Sequence, residues 1–309
     1  MDKSKVIVIC GPTASGKTKL SIELAKKLNG EIVSADSMQI YKDMTIGTAK
    51  PTKEEMQGIK HYLIDFVSPD TRYNVAEYKK DAINAIDEII AKGKTPIVVG
   101  GTGLYVNSLI YEIDYPEIEL DLNYRKKIEK IAEHEGLDRL YEMAVKVDKQ
   151  AMQKISSNDK KRICRVLEIY HATGKTKTQM EIESRLREPK YNYLVFGINM
   201  DRDKLYDRIN RRVDIMIKDG LIDEVKAVLD KYNDFPTAMQ GLGYKEVAEY
   251  LNGETTKDDM IEKIKMETRR YAKRQLTWFR RYEDIVWING LDDTQKNVDI
   301  IWEEYNAKG

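Results

Sequence analysis

Two cysteines are all that this 309-residue chain has, Cys10 and Cys164, with neither the spacing of metal ligands nor the number needed for a disulfide framework. A thiol-ligated zinc centre and a disulfide-stapled secreted fold are thereby excluded, and both thiols are expected to be packing residues in a reducing compartment. Histidine is almost as scarce, and His61, His134 and His171 are expected at packing or surface positions. There is no excess of charge of either sign. Its 52 basic and 52 acidic residues cancel, so a polyanionic partner would have to be held by local clusters and not by a global field. Long apolar runs are also missing: none approaches the ~20 residues that span a bilayer. The opening MDKSK leads straight into an apolar segment and leaves no room for a signal peptide, so a cytoplasmic protein without membrane contact is expected. No internal repeat or low-complexity tract is visible.

What the chain does have is length enough for one large or two modest domains, and charge in abundance. Charged residues make up 34%, above the roughly 25% of an average domain, which fits a large solvated helical surface. The strongest local pattern lies in residues 6–28: the apolar run VIVIC, the turn GPTASGKT, and a segment whose Leu20, Ile22, Leu24, Ala25 and Leu28 fall on a helical stripe. Gly11, Gly16, Lys17 and Thr18 fit the phosphate-binding pattern in full, and the strand and helix on its flanks are the ones that motif requires. Across Gly11, Pro12, Thr13, Ala14, Ser15 and Gly16 the backbone N–H groups can turn inward, and the helix start adds its positive end. Lys17 would supply a point charge and Thr18 a hydroxyl to Mg²⁺. The loop does not say what is attached to the phosphate, because kinases, ATPases and other users of diphosphate esters share it.

Residues 31–36 read as a second strand that ends at Asp36. Strand, helix and strand in that order call for a parallel sheet with the phosphate loop at its carboxyl edge, and Asp36 at the same edge. An acid there can also be a plain helix cap after a strand. Residues 42–51 have no clean period and are expected to form a loop over substrate. A third strand is expected at 61–67, an amphipathic helix at 74–92, and an apolar strand at 97–99 that runs into GGTGLYV. That second glycine-rich turn is either a plain helix start or, beside the phosphate loop, part of one site. From about Pro116 the character changes: residues 117–188 are dense in Lys, Arg and Glu, with helical stripes at Tyr124, Ile128, Ile131, at Leu140, Met143, Val147, and at Ile163, Val166, Leu167, Tyr170. A strand returns at 193–198, helical pieces follow, and a last short strand is expected at 286–288. The expected class is α/β: a P-loop NTPase-like parallel sheet flanked by helices (residues 1–116 and 190–309) with an inserted all-helical domain (117–189).

Three basic groups stand out against the neutral total. Residues 159–165 read DKKRICR, and residues 268–281 hold six basic side chains and no acid, with Tyr271, Trp278 and Phe279 interleaved. Each reads as a solvated helix face or as a contact for phosphates and stacked bases of RNA. In the second group Ala272, Leu276 and Phe279 account for a core stripe, which leaves Arg269, Lys273, Arg274, Gln275 and Arg280 to face elsewhere. Arg208, Arg211 and Arg212 form the third group, from which one guanidinium could clamp a phosphate on the P-loop.

GPTASGKT, SADSMQIY, IGTAKP, GGTGLYV, NDKKRICRVLEI, GLGYKE and AKRQLTWFRR stand in the order and spacing of one family. Over nearly its whole length the chain resembles the bacterial tRNA dimethylallyltransferases, also called tRNA isopentenyltransferases. The resemblance implies transfer of a dimethylallyl group from dimethylallyl diphosphate to N6 of the adenosine 3′ to the anticodon in tRNA, with release of diphosphate. It implies that residues 11–18 grip the diphosphate, that Arg212 and Mg²⁺ neutralise it, and that Asp36 takes the N6 proton from an extruded adenine. Asp36, Ser37, Met38 and Gln39 would read that base. By the same resemblance Thr102, Arg125, Lys161, Arg162, Arg165, Gln240, Tyr244, Lys245, Lys273, Arg274, Gln275, Trp278 and Arg280 lie against the tRNA, and the helical insertion clasps the anticodon stem-loop. A monomer is expected. The chain departs from the family's pattern at Gly241, where alanine is common, and it lacks the C-terminal zinc finger of eukaryotic relatives. Two other readings stay open on the residues alone: a P-loop small-molecule kinase, and a non-catalytic RNA-binding protein with a nucleotide switch.

Overall fold

Six short apolar segments pair into one sheet, and their order decides where the loops emerge. The computed structural model describes residues 3–113 and 121–307. The strands are β1 (Lys5–Cys10), β2 (Gly30–Ser34), β3 (His61–Tyr62), β4 (Thr95–Gly100), β5 (Asn192–Asn199) and β6 (Val286–Asn289), all parallel, in the order β3-β2-β4-β1-β5-β6. β1 lies inside the sheet with helices on its faces, which is why it is an unbroken apolar run and not an alternating one. Register brings the site together. Cys10 pairs with Gly100 and Gly197, and Ser34 pairs with Val99, so the chain leaves β1, β4 and β2 at neighbouring points on one edge.

Helix Lys17–Lys27 buries Leu20, Ile22, Leu24 and Ala25 on the sheet beside Ile7, Ile9, Ile97 and Phe196. Helix Val75–Ala91 starts at Asn74, whose side chain accepts from Ala76 N (2.8 Å) and Glu77 N (3.2 Å) while Glu77 reaches back to Asn74 N, a capping box. The strand expected at 61–67 is only two residues long. Leu63 and Asp65 adopt left-handed backbone (φ 60° and 59°), which ends the ladder, and Val67 returns only as an isolated bridge to Tyr41. At this turn Asp65 pairs with the buried ammonium of Lys50, 2.6 Å away.

The chain divides into two compact units, Met1–Ile110 with Lys190–Gly309, and Tyr111–Pro189. In the second, helices Leu122–His134, Leu137–Val147, Lys149–Met152, Lys160–Thr173 and Lys177–Arg185 enclose a core of Ile128, Leu140, Ala144, Ile163, Val166 and Leu167, with no strand among the described residues. Tyr170, expected on that stripe, is exposed. The boundary expected at 116/117 lies outside the described residues. Cys10 and Cys164 are free and buried. No helix among the described residues is long and apolar enough to cross a membrane.

Candidate active site

The phosphate loop follows β1 directly. Ala14 and Gly16 take left-handed backbone (φ 60° and 94°), a turn that aims successive N–H groups into a hollow, and helix Lys17–Lys27 begins at its rim. Inside the loop the Ser15 hydroxyl is buried with no hydrogen-bond partner among the described residues. A dry, unpaired donor is costly, and an oxyanion in the hollow would satisfy it. Lys17 Nζ donates to Gly11 O (3.0 Å) and Pro12 O (2.7 Å). Burial pulls this ammonium down to about 8, against the favourable charge of Asp36 and with the repulsion of Arg212. Of the three arginines in helix Arg202–Lys218, it is Arg212 that reaches the loop, donating from Nη1 to Thr13 Oγ1 (3.2 Å). Arg208 turns to Gly290 O (3.5 Å), and Arg211 pairs with Asp207 (2.8 Å). Burial lowers the Arg212 guanidinium and Asp36 opposes the shift; arginine remains charged regardless.

Asp36 stands two residues past β2. Its Oδ1 accepts from Met38 N (2.9 Å) and Gln39 N (3.3 Å), so it closes an Asx turn, while Oδ2 makes no hydrogen bond among the described residues. One carboxylate oxygen caps the chain and the other is unengaged among the described residues. Thr102 stitches the glycine turn to this exit: its Oγ1 accepts from Ser37 N (2.9 Å) and its N–H donates to Ala35 O (3.1 Å). Gln39 does not present a free amide to a base. Its Nε2 donates to Thr48 O (3.2 Å) and Ala49 O (3.1 Å), because these loop carbonyls lie opposite it and would otherwise lack donors.

Helix Lys257–Phe279 corrects a further expectation, that Gln275 faces away from the core. Gln275 turns inward, 5% exposed, where its Oε1 accepts from Thr13 N (2.9 Å) and its Nε2 donates to Gly101 O (2.9 Å). The amide thus bridges the two glycine turns, and a Cβ at residue 101 would lie 2.2 Å from Nε2, so the bridge needs glycine there. Trp278 is partly buried and donates to Asn107 Oδ1 (3.2 Å). Lys273, Arg274 and Arg280 are exposed, and Arg274 lies over the Tyr271 ring at 5.8 Å; Arg269 is taken up by Asn210 (2.6 Å). Burial, with the charge of Asp36 adding to it, pushes the Tyr271 phenol up to about 12.

Tyr244 offers no surface to RNA: it is fully buried, because its ring packs on the 45–48 loop and its hydroxyl donates to Glu224 Oε1 (2.5 Å). Its neighbours Gln240 and Lys245 are exposed. Within the helical unit Lys161, Arg162 and Arg165 are exposed on helix Lys160–Thr173, which Asp159 caps. Arg125 is partly buried and pairs with Glu129 and Glu168, each at 2.7 Å, so its charge is spent inside that unit. The residue that sequence reasoning passed over is Glu224, whose place in the first turn of helix Leu221–Lys231 gives it an ordinary helix-start reading. No group of three or more His, Cys, Asp or Glu side chains that could hold a metal occurs among the described residues.

Residues 39–282 match the family model described as IPP transferase. The tRNA dimethylallyltransferase of Acetivibrio thermocellus is 54% identical over 285 residues, 92% of this chain and 91% of that protein. That of Thermoanaerobacter pseudethanolicus is 51% identical over 302 residues, 95% and 96% of the two chains. Among solved structures, the full-length tRNA isopentenylpyrophosphate transferase of Bacillus halodurans is similar at a TM-score of 0.75 and 42% identity, covering 99% of this chain and 97% of that one. A eukaryotic dimethylallyltransferase solved acting on tRNA gives 0.81 at 34% identity, covering 94% and 74%.

Proposed function

This chain belongs to the IPP transferase family and is a tRNA dimethylallyltransferase with a P-loop NTPase-like fold, and from that premise we propose how its sheet edge divides the reaction. The kinase and nucleotide-switch readings fall with the family assignment. The donor is dimethylallyl diphosphate and the acceptor is N6 of the adenosine 3′ to the anticodon. One observation carries the reading: β1 and β2 flank β4 in register, Cys10 beside Gly100 and Ser34 beside Val99, so the phosphate loop that follows β1, with Arg212 on its Thr13, and Asp36, two residues past β2, share one edge.

The N6 lone pair attacks the first carbon of the prenyl group as the bond from that carbon to the diphosphate oxygen breaks. Charge growing on the departing diphosphate is met by Lys17, Arg212, the Ser15 hydroxyl and the inward N–H groups of the loop. Thr13 N–H is not among them, since Gln275 occupies it. The proton lost from N6 goes to Asp36, whose Oδ2 is unengaged among the described residues. Mg²⁺, which takes phosphate and water oxygens and needs no protein cage, supplies further neutralisation when bound, with Thr18 its proposed protein ligand. The unpaired Ser15 hydroxyl and the Thr18 side chain in the helix's first turn fit such a bound anion and its cation.

An adenine inside a stacked loop cannot reach this edge and is extruded into it. The exposed Gln240, Lys245, Lys273, Arg274 and Arg280 suit the phosphates around it, and Lys161, Arg162 and Arg165 give the helical unit a basic face for the anticodon stem-loop. The protein works as a monomer in the cytoplasm. Mass analysis of tRNA nucleosides after incubation with dimethylallyl diphosphate tests donor, acceptor and position together. The expected product is adenosine carrying one dimethylallyl group at the position 3′ to the anticodon, and unmodified tRNA would overturn the assignment.

A further inference from the structure

We propose that Glu224 is a positioning residue for the acceptor half of the site, acting on Asp36 through the 45–49 loop. Four hydrogen bonds converge on this one carboxylate. Oε2 accepts from Thr45 N (2.8 Å) and Ile46 N (2.7 Å), and Oε1 accepts from Gly47 N (3.0 Å) and the Tyr244 hydroxyl (2.5 Å). Three consecutive loop amides are thus fixed by an acid 177 to 179 positions further along the chain. The fit is close, since a Cβ at residue 47 would lie 2.5 Å from the Tyr244 ring.

The fixed loop in turn holds the turn that carries Asp36. Thr48 and Ala49, next along, accept both amide hydrogens of Gln39, and Gln39 N–H is one of the two donors on Asp36 Oδ1. A second strut runs beside it: Met38, the other donor, packs against Gly241, in the same segment as Tyr244. A loosened loop would release Gln39 and with it the direction of Oδ2. A misplacement of about 1 Å is enough to cost on the order of 10²-fold in rate. Among the described residues no hydrogen bond joins the phosphate loop directly to Glu224, the 45–49 loop or Gln39; its own tie to the Asp36 turn runs by another route, through Gln275 and Thr102, so the donor KM is expected to be spared.

The inference rests on Asp36 as the proton acceptor. Glu224→Gln tests it, because in either amide orientation the NH₂ group faces two N–H or O–H donors. The expected result is a kcat lower by on the order of 10-fold or more, with the KM for dimethylallyl diphosphate unchanged. Tyr244→Phe, which keeps the three amide bonds, should lose far less. The decisive readout is the double variant Asp36→Asn/Glu224→Gln. If Glu224 acts through Asp36, the second change adds nothing to the first. Multiplying effects, an unchanged kcat in Glu224→Gln, or equal losses in kcat and in diphosphate KM would each overturn the proposal. Normal turnover by Asp36→Asn alone would instead overturn the assignment of the base.

Discussion

Residues 11–18 owe their turn to their own backbone and to Lys17 folded onto it, with remote side chains, Gln275 and Arg212, touching them at Thr13, whereas residues 36–49 are held along their length by side chains from remote parts of the chain. The two loops share a sheet edge and, in the proposed mechanism, divide one reaction. The first is prefabricated by local geometry, and the second is assembled only when helix Leu221–Lys231 and the 241–244 turn are in place. A loop whose turn is made locally feels distant change only through Thr13, while a loop made by tertiary contacts feels it throughout. Substitutions should therefore separate into those that alter turnover and those that alter donor binding.

The largest effect expected is from Asp36→Ala, which removes the acceptor while sparing the phosphate loop: steady-state kinetics should show kcat down by at least ~10²-fold with RNA affinity largely kept. Near-normal turnover would erase the division of labour. Gln275→Leu tests the bridge between the two glycine turns. It strands the buried carbonyl of Gly101, at a cost of about 1–3 kcal/mol, and frees the partly buried N–H of Thr13. A lower melting temperature and a KM for dimethylallyl diphosphate raised by roughly 10-fold are expected, with RNA affinity held; a loss confined to RNA binding would return Gln275 to the RNA face. Arg274→Ala, on the exposed side of the same helix, should weaken tRNA binding and reduce the salt slope by about one unit, without touching donor KM.

The smallest effect concerns pH. Lys17 sits at about 8 in the protein, below the ordinary lysine range, so between the two the unfolded chain binds the extra proton. Stability of the ligand-free protein should rise with pH across that window. Diphosphate affinity should fall across it, because binding must restore the proton, and calorimetric titration at pH 7 and 9 reads the difference.

These contrasts also explain what the sequence disclosed. The phosphate loop and the strand ending near Asp36 are local patterns, fixed by residues adjacent to one another, and they were legible as such. Gln275 was misassigned by helix phase: three positions after Ala272 and four before Phe279, it lies on the inward stripe, where a polar amide must find partners. Tyr244 and Gln39 were expected at the RNA by the family resemblance, and in this structure their polar ends are engaged within the protein. The shortened third strand could not be foreseen, since no glycine marks the left-handed turns at Leu63 and Asp65. Glu224 lay beyond any local pattern, its partners being 20 to 179 positions away.

The two buried cysteines are distributed one to each compact unit, Cys10 at the end of β1 and Cys164 in the helical core. Burial pushes Cys10 up to about 12 and raises Cys164 as well, so neither is a ready nucleophile while its surroundings stay closed. The protein therefore carries a native pair of opening reporters. The rate at which an alkylating reagent labels each thiol, read by peptide mass, gives the breathing of sheet and helical bundle separately, with no engineered probe.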